Sequence, residues 1–102
     1  QDVYINAAEQ INGIPYSWPG TNLDIGSSGQ KVRQLQEQLN LIGEYYSSIP
    51  VLSTDGIYGE QTAVAVKEFQ RIFNLPQSGI TDFPTWFTVS EKYVALAGLA
   101  EL

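Results

Sequence analysis

At 102 residues, with 43% hydrophobic and 16% charged residues, the chain is sized for one domain with a modest core, and it is too apolar and too weakly charged for a disordered segment. A net charge of −6 and only five Lys and Arg argue against a nucleic-acid partner, because affinity for a phosphate backbone rests on basic side chains displacing counterions. Zero Cys and zero His remove disulfides, thiolate nucleophiles, zinc-thiolate sites and the commonest general base, so no cofactor and no metal are expected.

No apolar run approaches the roughly 20 residues needed to span a bilayer, and no basic, apolar, small-residue signal opens the sequence. No membrane partner is therefore expected, and the chain is either cytosolic or a piece of a longer exported protein.

In chain order, Tyr4, Ala7, Ala8 and Ile11 suit a short helix before Gly13, and "NGIPYSWPGTN" then reads as an extended, proline-punctuated connection. Residues 1–22 are thus expected to form an N-terminal arm or linker packed on a module at 23–102. Within that module, "GSSGQKV" at 26–32, "GIYGEQT" at 56–62 and "GITDFPT" at 79–85 share the frame G-x-x-[GD]-x-x-[VT]. The fourth position is Gly29, Gly59 or Asp82, all tolerated at a helix N-cap, so each copy predicts a turn feeding a helix.

After the first turn, Val32, Leu35, Leu39 and Ile42 recur at helical spacing, with Gly43 placed to stop the helix in a left-handed cap. Following the second turn come Ala65, Val66, Phe69, Ile72 and Phe73, ended by "NLPQSG", where Pro76 cannot continue a helix. In the third unit Asp82 caps, Pro84 lies in the tolerant first turn, and Trp86, Val89, Tyr93, Leu96 and Ala97 carry the face. The expectation is an all-α fold: a compact three-helix bundle with duplicated turn-helix units and an N-terminal arm containing a short helix.

The string "LDIGSSGQKVRQLQEQL" at 23–39, then "DGIYGEQTAVAVKEFQ" from Asp55, then "GITDFPTW" at 79–86 resembles the three-helix peptidoglycan-binding domain, an accessory module of bacterial cell-wall hydrolases. The resemblance covers about residues 23–93 and rests on the LQ and FQ helix pairs, the D-G-x-Y-G turn and the closing T-W occurring in order. It implies a non-catalytic module that binds peptidoglycan, tethered to a hydrolase or to further copies of itself in a longer protein. It also implies an extracellular location, in the cell wall or spore envelope of a Gram-positive bacterium. The long connection "GEYYSSIPVLST" and the arm before Leu23 depart from shorter members.

Most motif positions read as architecture. Gly26, Gly29, Gly56 and Gly59 are read as turn glycines, Asp55 as an Asx-turn acceptor and Asp82 as a cap. Gln36 and Gln70 lie near apolar helix faces, where an amide must find partners, so they are expected to tie helix to loop. The candidate ligand contacts are Asp55, Tyr58, Thr62, Tyr45, Tyr46 and Trp86. They would form a groove between the turn 55–62, the Tyr45–Tyr46 loop and the start of the third helix, with rings that either stack on a sugar or staple a loop.

Catalysis by paired carboxylates needs a deep cleft, which three short helices scarcely provide. A calcium loop fails on spacing: with Gly56 sixth, the first, third and twelfth positions are Val51, Ser53 and Thr62. Neither "GSSGQK" nor "GIYGEQ" has the spacing of a phosphate loop. The alternative to murein binding is a protein-interaction module that keeps the fold but docks on a neighbouring domain, for which the tail 96–102 and the arm are candidate faces.

Overall fold

The structure, a computed structural model, describes residues 17–98. The helix expected near Tyr4 and Ile11, and most of the tail 96–102, lie outside the described residues. Three helices follow one another: α1 Gln30–Gly43, α2 Glu60–Ile72 and α3 Phe83–Ala97. Among the described residues the only β pairing is two isolated antiparallel bridges, Leu23 with Thr81 and Ser28 with Ile57.

Each helix forms where an apolar stripe recurs every three or four residues, and each buries that stripe. In α1 the buried residues are Val32, Leu35, Gln36, Leu39 and Ile42; in α2 they are Thr62, Ala65, Val66, Phe69 and Gln70. Helix α3 buries Thr85, Trp86 and Val89, with Tyr93 and Leu96 packed at the edge. Helix α1 is the central element, packed mainly on α3 and less extensively on α2. The connections complete the core with Leu23, Ile49, Leu52 and Tyr58.

The long connection after α1 is an ordered part of this packing. Asn40 clamps it as a strand would: its amide donates to the Leu52 carbonyl at 2.9 Å and its oxygen accepts from the Leu52 N–H at 2.8 Å. Further along α2, the Ser48 hydroxyl donates to Glu68 at 2.6 Å.

One helix end differs from expectation, and a second comes at the expected NLPQSG stretch by another device. Gly43 is the last residue of α1, not a left-handed cap, and the residue after it, Glu44, keeps right-handed helical angles. Its glycine identity serves close approach, since a Cβ there would lie 3.4 Å from the Ile49 carbonyl oxygen. Helix α2 stops before Pro76 is reached, at a left-handed Asn74 with φ 62°. The Leu75 N–H then donates to the Gln70 carbonyl and the Asn74 N–H to that of Arg71, the paired bonds of a Schellman ending.

Residues 17–22 approach the N-terminal half of α3. Trp18 packs edge-on against Phe83 and Trp86, with ring centroids 5.3 and 6.3 Å away, and the Trp86 indole N–H donates to the Ser17 hydroxyl at 3.1 Å.

Candidate functional site

The three turns of the repeated frame meet at one end of the bundle. The first and second are joined by backbone bonds: the Gly26 N–H to the Tyr58 carbonyl, the Tyr58 N–H to the Ser27 carbonyl and the Gly29 N–H to the Gly56 carbonyl, at 2.9–3.0 Å. The first is joined to the third by reciprocal bonds between Leu23 and Thr81, both 2.9 Å. Joining the second to the third is the Tyr58 side chain, whose hydroxyl donates to the Gly79 carbonyl at 2.7 Å and lies 3.0 Å from the Thr81 hydroxyl.

Tyr58 is only 1% exposed. The ring between the glycines is therefore a staple under the junction and offers no face to a ligand, which corrects its placement as a groove residue. Burial among apolar neighbours raises the Tyr58 phenol to about 12, the nearby Thr81 hydroxyl working against the shift.

Each of the two later turns is held by a glutamine from the preceding helix. The Gln36 oxygen accepts from the Gly56 N–H at 2.9 Å, while its amide donates to the Ile57 carbonyl at 3.0 Å, the Thr62 hydroxyl at 3.1 Å and Asp55 at 3.3 Å. Gln70 repeats the scheme, accepting from the Gly79 N–H and donating to the Ile80 carbonyl, the Thr85 hydroxyl and the Ser78 hydroxyl. The duplication in the sequence is thus a repeated clamp, with Gly56, Ile57 and Thr62 answering to Gly79, Ile80 and Thr85. Every polar group of each buried amide is used, which is what makes a buried glutamine tolerable.

The glycines divide by conformation. Gly26, Gly29, Gly56 and Gly79 have φ between 76° and 121°, the region that disfavours a side chain. Gly59 does not: its φ is −106° and a Cβ there would meet nothing within 4 Å. The reading of Gly59 as a turn glycine is corrected, whereas its expected place at a helix N-cap is found: it starts α2 without a side chain. In α3 the corresponding Asp82 accepts from the Thr85 N–H at 3.1 Å.

Beside the second turn lies an open groove of about 370 Å³. Leu52 and Ser53 form one wall, Asp55 and Ile57 the turn side, Glu60 and Gln61 the first turn of α2, with Gln36 and Thr62 beneath. It runs on into a more apolar depression along Pro50, Val51 and Val64. Ile57, 59% exposed, puts an apolar side chain on the groove's rim, and Val51, 87% exposed, puts another on the adjoining depression. Asp55 accepts from the Ile57 N–H at 3.0 Å, and that bond holds its carboxyl below the usual carboxylate range against the opposing effect of burial, with Gln36 adding to it.

Of the residues expected in a groove, Asp55 lines this one and Thr62 lies at its base, 3% exposed with its hydroxyl engaged by Gln36. Trp86 does not reach it: the indole is 1% exposed and packed in the core. Tyr45 and Tyr46 are also elsewhere. Tyr46 packs on Phe73 beyond the C-terminal end of α2, ring centroids 5.2 Å apart, while the groove flanks the N-terminal end. The two are separated by the helix length, about 20 Å for 13 residues. Among the described residues no aromatic ring lines the groove. The groove residues absent from the expectation are Leu52, Ser53, Ile57, Glu60 and Gln61; the signal available was Ile57, an apolar residue in the turn frame next to the buried Tyr58.

The family model of the peptidoglycan binding domain matches residues 28–87, more than half of the chain. The chain belongs to the peptidoglycan-binding domain family. The matched stretch contains α1, α2, the second and third turns and every residue that lines the groove beside the second turn. A zinc D-Ala-D-Ala carboxypeptidase of Streptomyces albus G is 42% identical over 65 residues, 64% of this chain and 24% of that enzyme. The chain thus spans about a quarter of that curated relative's length. Among solved structures, the N-terminal domain of SleB is similar to it with a TM-score of 0.64 at 26% identity, covering 74% of this chain and 97% of that one. As a member of this family the chain is a three-helix peptidoglycan-binding module.

Proposed function

We propose that the chain binds peptidoglycan through the groove beside turn 55–62 and carries out no chemistry on it, holding an attached protein or hydrolase against the wall. The observation that supports this reading most is that the groove falls inside the family-matched stretch and presents polar groups with no bond to the protein. The Glu60 carboxylate, the Gln61 amide and the Ser53 hydroxyl make no hydrogen bond among the described residues.

The groove is open and shallow and has two carboxylates, Asp55 and Glu60. It has no closed cleft that would keep water from a reacting bond, which favours binding over glycan or peptide cleavage. Residues 1–22 serve as the arm and 23–102 as the module, a division supported by Leu23, the first buried apolar residue of the described chain and the partner of Thr81. A place outside the cell, in the wall or spore envelope of a Gram-positive bacterium, and linkage to further copies belong to the same reading; linkage to an enzyme is supported by the carboxypeptidase, most of whose length lies outside the match. Such linkage would raise a weak single-site affinity by avidity.

The test is co-sedimentation of the purified chain with insoluble peptidoglycan sacculi, with the supernatant assayed for reducing ends and free peptides. The chain is expected in the pellet with no soluble product. Full recovery of the chain in the supernatant contradicts the binding, and release of fragments contradicts the absence of chemistry.

A further inference from the structure

We infer that the groove recognises the peptide portion of the wall polymer, through a free amine and neighbouring carbonyl groups, and not its sugar chain. The inference rests on the groove being the peptidoglycan site. Sugar faces are bound by stacking on aromatic rings, and among the described residues none lines the groove: Tyr58 and Trp86 are in the core, and Tyr46 packs at the far end of α2.

What the groove does have matches a peptide. Asp55 and Glu60 accept from an ammonium, and no Lys or Arg lines the site to compete for them. Gly59 gives α2 no side-chain cap, so the N–H groups of its first turn face a carbonyl or carboxylate of the ligand. The Gln61 amide can both donate to and accept from a peptide unit. Exposed Ile57, Val51 and Val64 suit small apolar side chains. A neutral sugar chain carries no cation for the carboxylates. A phosphate-rich wall polymer would meet those two carboxylates on a chain of net charge −6.

The experiment is an NMR titration of the full chain with three probes, alongside sacculus co-sedimentation of the same preparation. One probe is a synthetic stem pentapeptide, Ala-γ-Glu-Lys-Ala-Ala, with its N-terminus acetylated and its side-chain amine free. The second is the same peptide with that amine acetylated, and the third is an N-acetylglucosamine oligomer. The free-amine peptide is expected to shift the amide signals of Ile57, Glu60 and Gln61. Acetylation is expected to weaken it about tenfold, the effect of losing one charge-assisted bond, and the sugar oligomer to leave those signals in place. Glu60→Gln is expected to weaken the free-amine peptide by a similar factor with little change for the acetylated one. Equal affinity for the two peptides, or groove shifts with the sugar oligomer, overturns the inference while sacculus binding stands. Loss of sacculus binding itself overturns the proposed function, and the inference with it.

Discussion

Tyr58 decides how the three turns hold together, because its hydroxyl reaches two groups of the third turn while its ring fills the space beneath the second. Tyr58→Ala should cost about 3–5 kcal/mol, the range for deleting a large buried ring. Tyr58→Phe keeps the ring and leaves the Gly79 carbonyl without its donor, at about 1–3 kcal/mol. Chemical denaturation of both variants measures the difference, and two wild-type-like curves would remove the staple. The raised phenol adds a pH signature. A group whose folded pKa lies above its unfolded value contributes stability that is complete below the unfolded pKa, near 10, and is lost as pH rises through the folded value of about 12. Over that window the loss is on the order of 2–3 kcal/mol, and Tyr58→Phe should flatten it.

At the scale of elements, the turn-helix unit works because a glutamine from one helix closes the turn that begins the next. Periodicity made the three helices legible from the sequence, since most residues at three- and four-residue spacing are buried and those toward the C-terminal ends of α2 and α3, Ile72, Phe73, Tyr93 and Leu96, are partly so. The turn glycines were only partly legible, because glycine answers three different needs that look alike in a sequence. Gly56 supplies positive φ, Gly43 admits the Ile49 backbone, and Gly59 leaves a helix start uncapped. The fate of Tyr58 was illegible for another reason: its partners lie 21 and 23 positions away, in a turn whose approach depends on how α2 packs. Tyr45 and Tyr46 lie close to turn 55–62 in sequence, but the connection runs back along α2 and leaves them at its other end. A pair of substitutions separates the glycine roles. Gly56→Ala meets φ 76° and the Gly29 carbonyl oxygen at 3.1 Å, and should destabilise by about 1–3 kcal/mol. Gly59→Ser adds a cap in open space and should be neutral or stabilising by a few tenths of a kcal/mol. Thermal melts in which Gly59→Ser falls as far as Gly56→Ala would return Gly59 to the strained class.

For the whole molecule, the junction of the three turns is the rigid end, and the groove takes its shape from it. Asp55 and Thr62 are fixed by Gln36, which also fixes the turn, so the side chains facing outward inherit a position set by buried ones. This division separates stability from recognition: changes to Gln36, Tyr58 or Gly56 act on the fold, while the side chains of Ile57, Glu60 and Gln61 stand outside the clamp, which holds Ile57 by its backbone alone. The measurement that tests this account most directly is sacculus co-sedimentation of the Ile57→Ala/Gln61→Ala variant beside wild type and Tyr45→Ala, with melting temperatures taken on the same samples. The variant is expected to lose binding by about tenfold, the scale of two partly exposed contacts, and to melt near wild type, with Tyr45→Ala binding as wild type does. A groove variant that pellets like wild type while Tyr45→Ala fails would place the murein site at the other end of α2 and contradict the account.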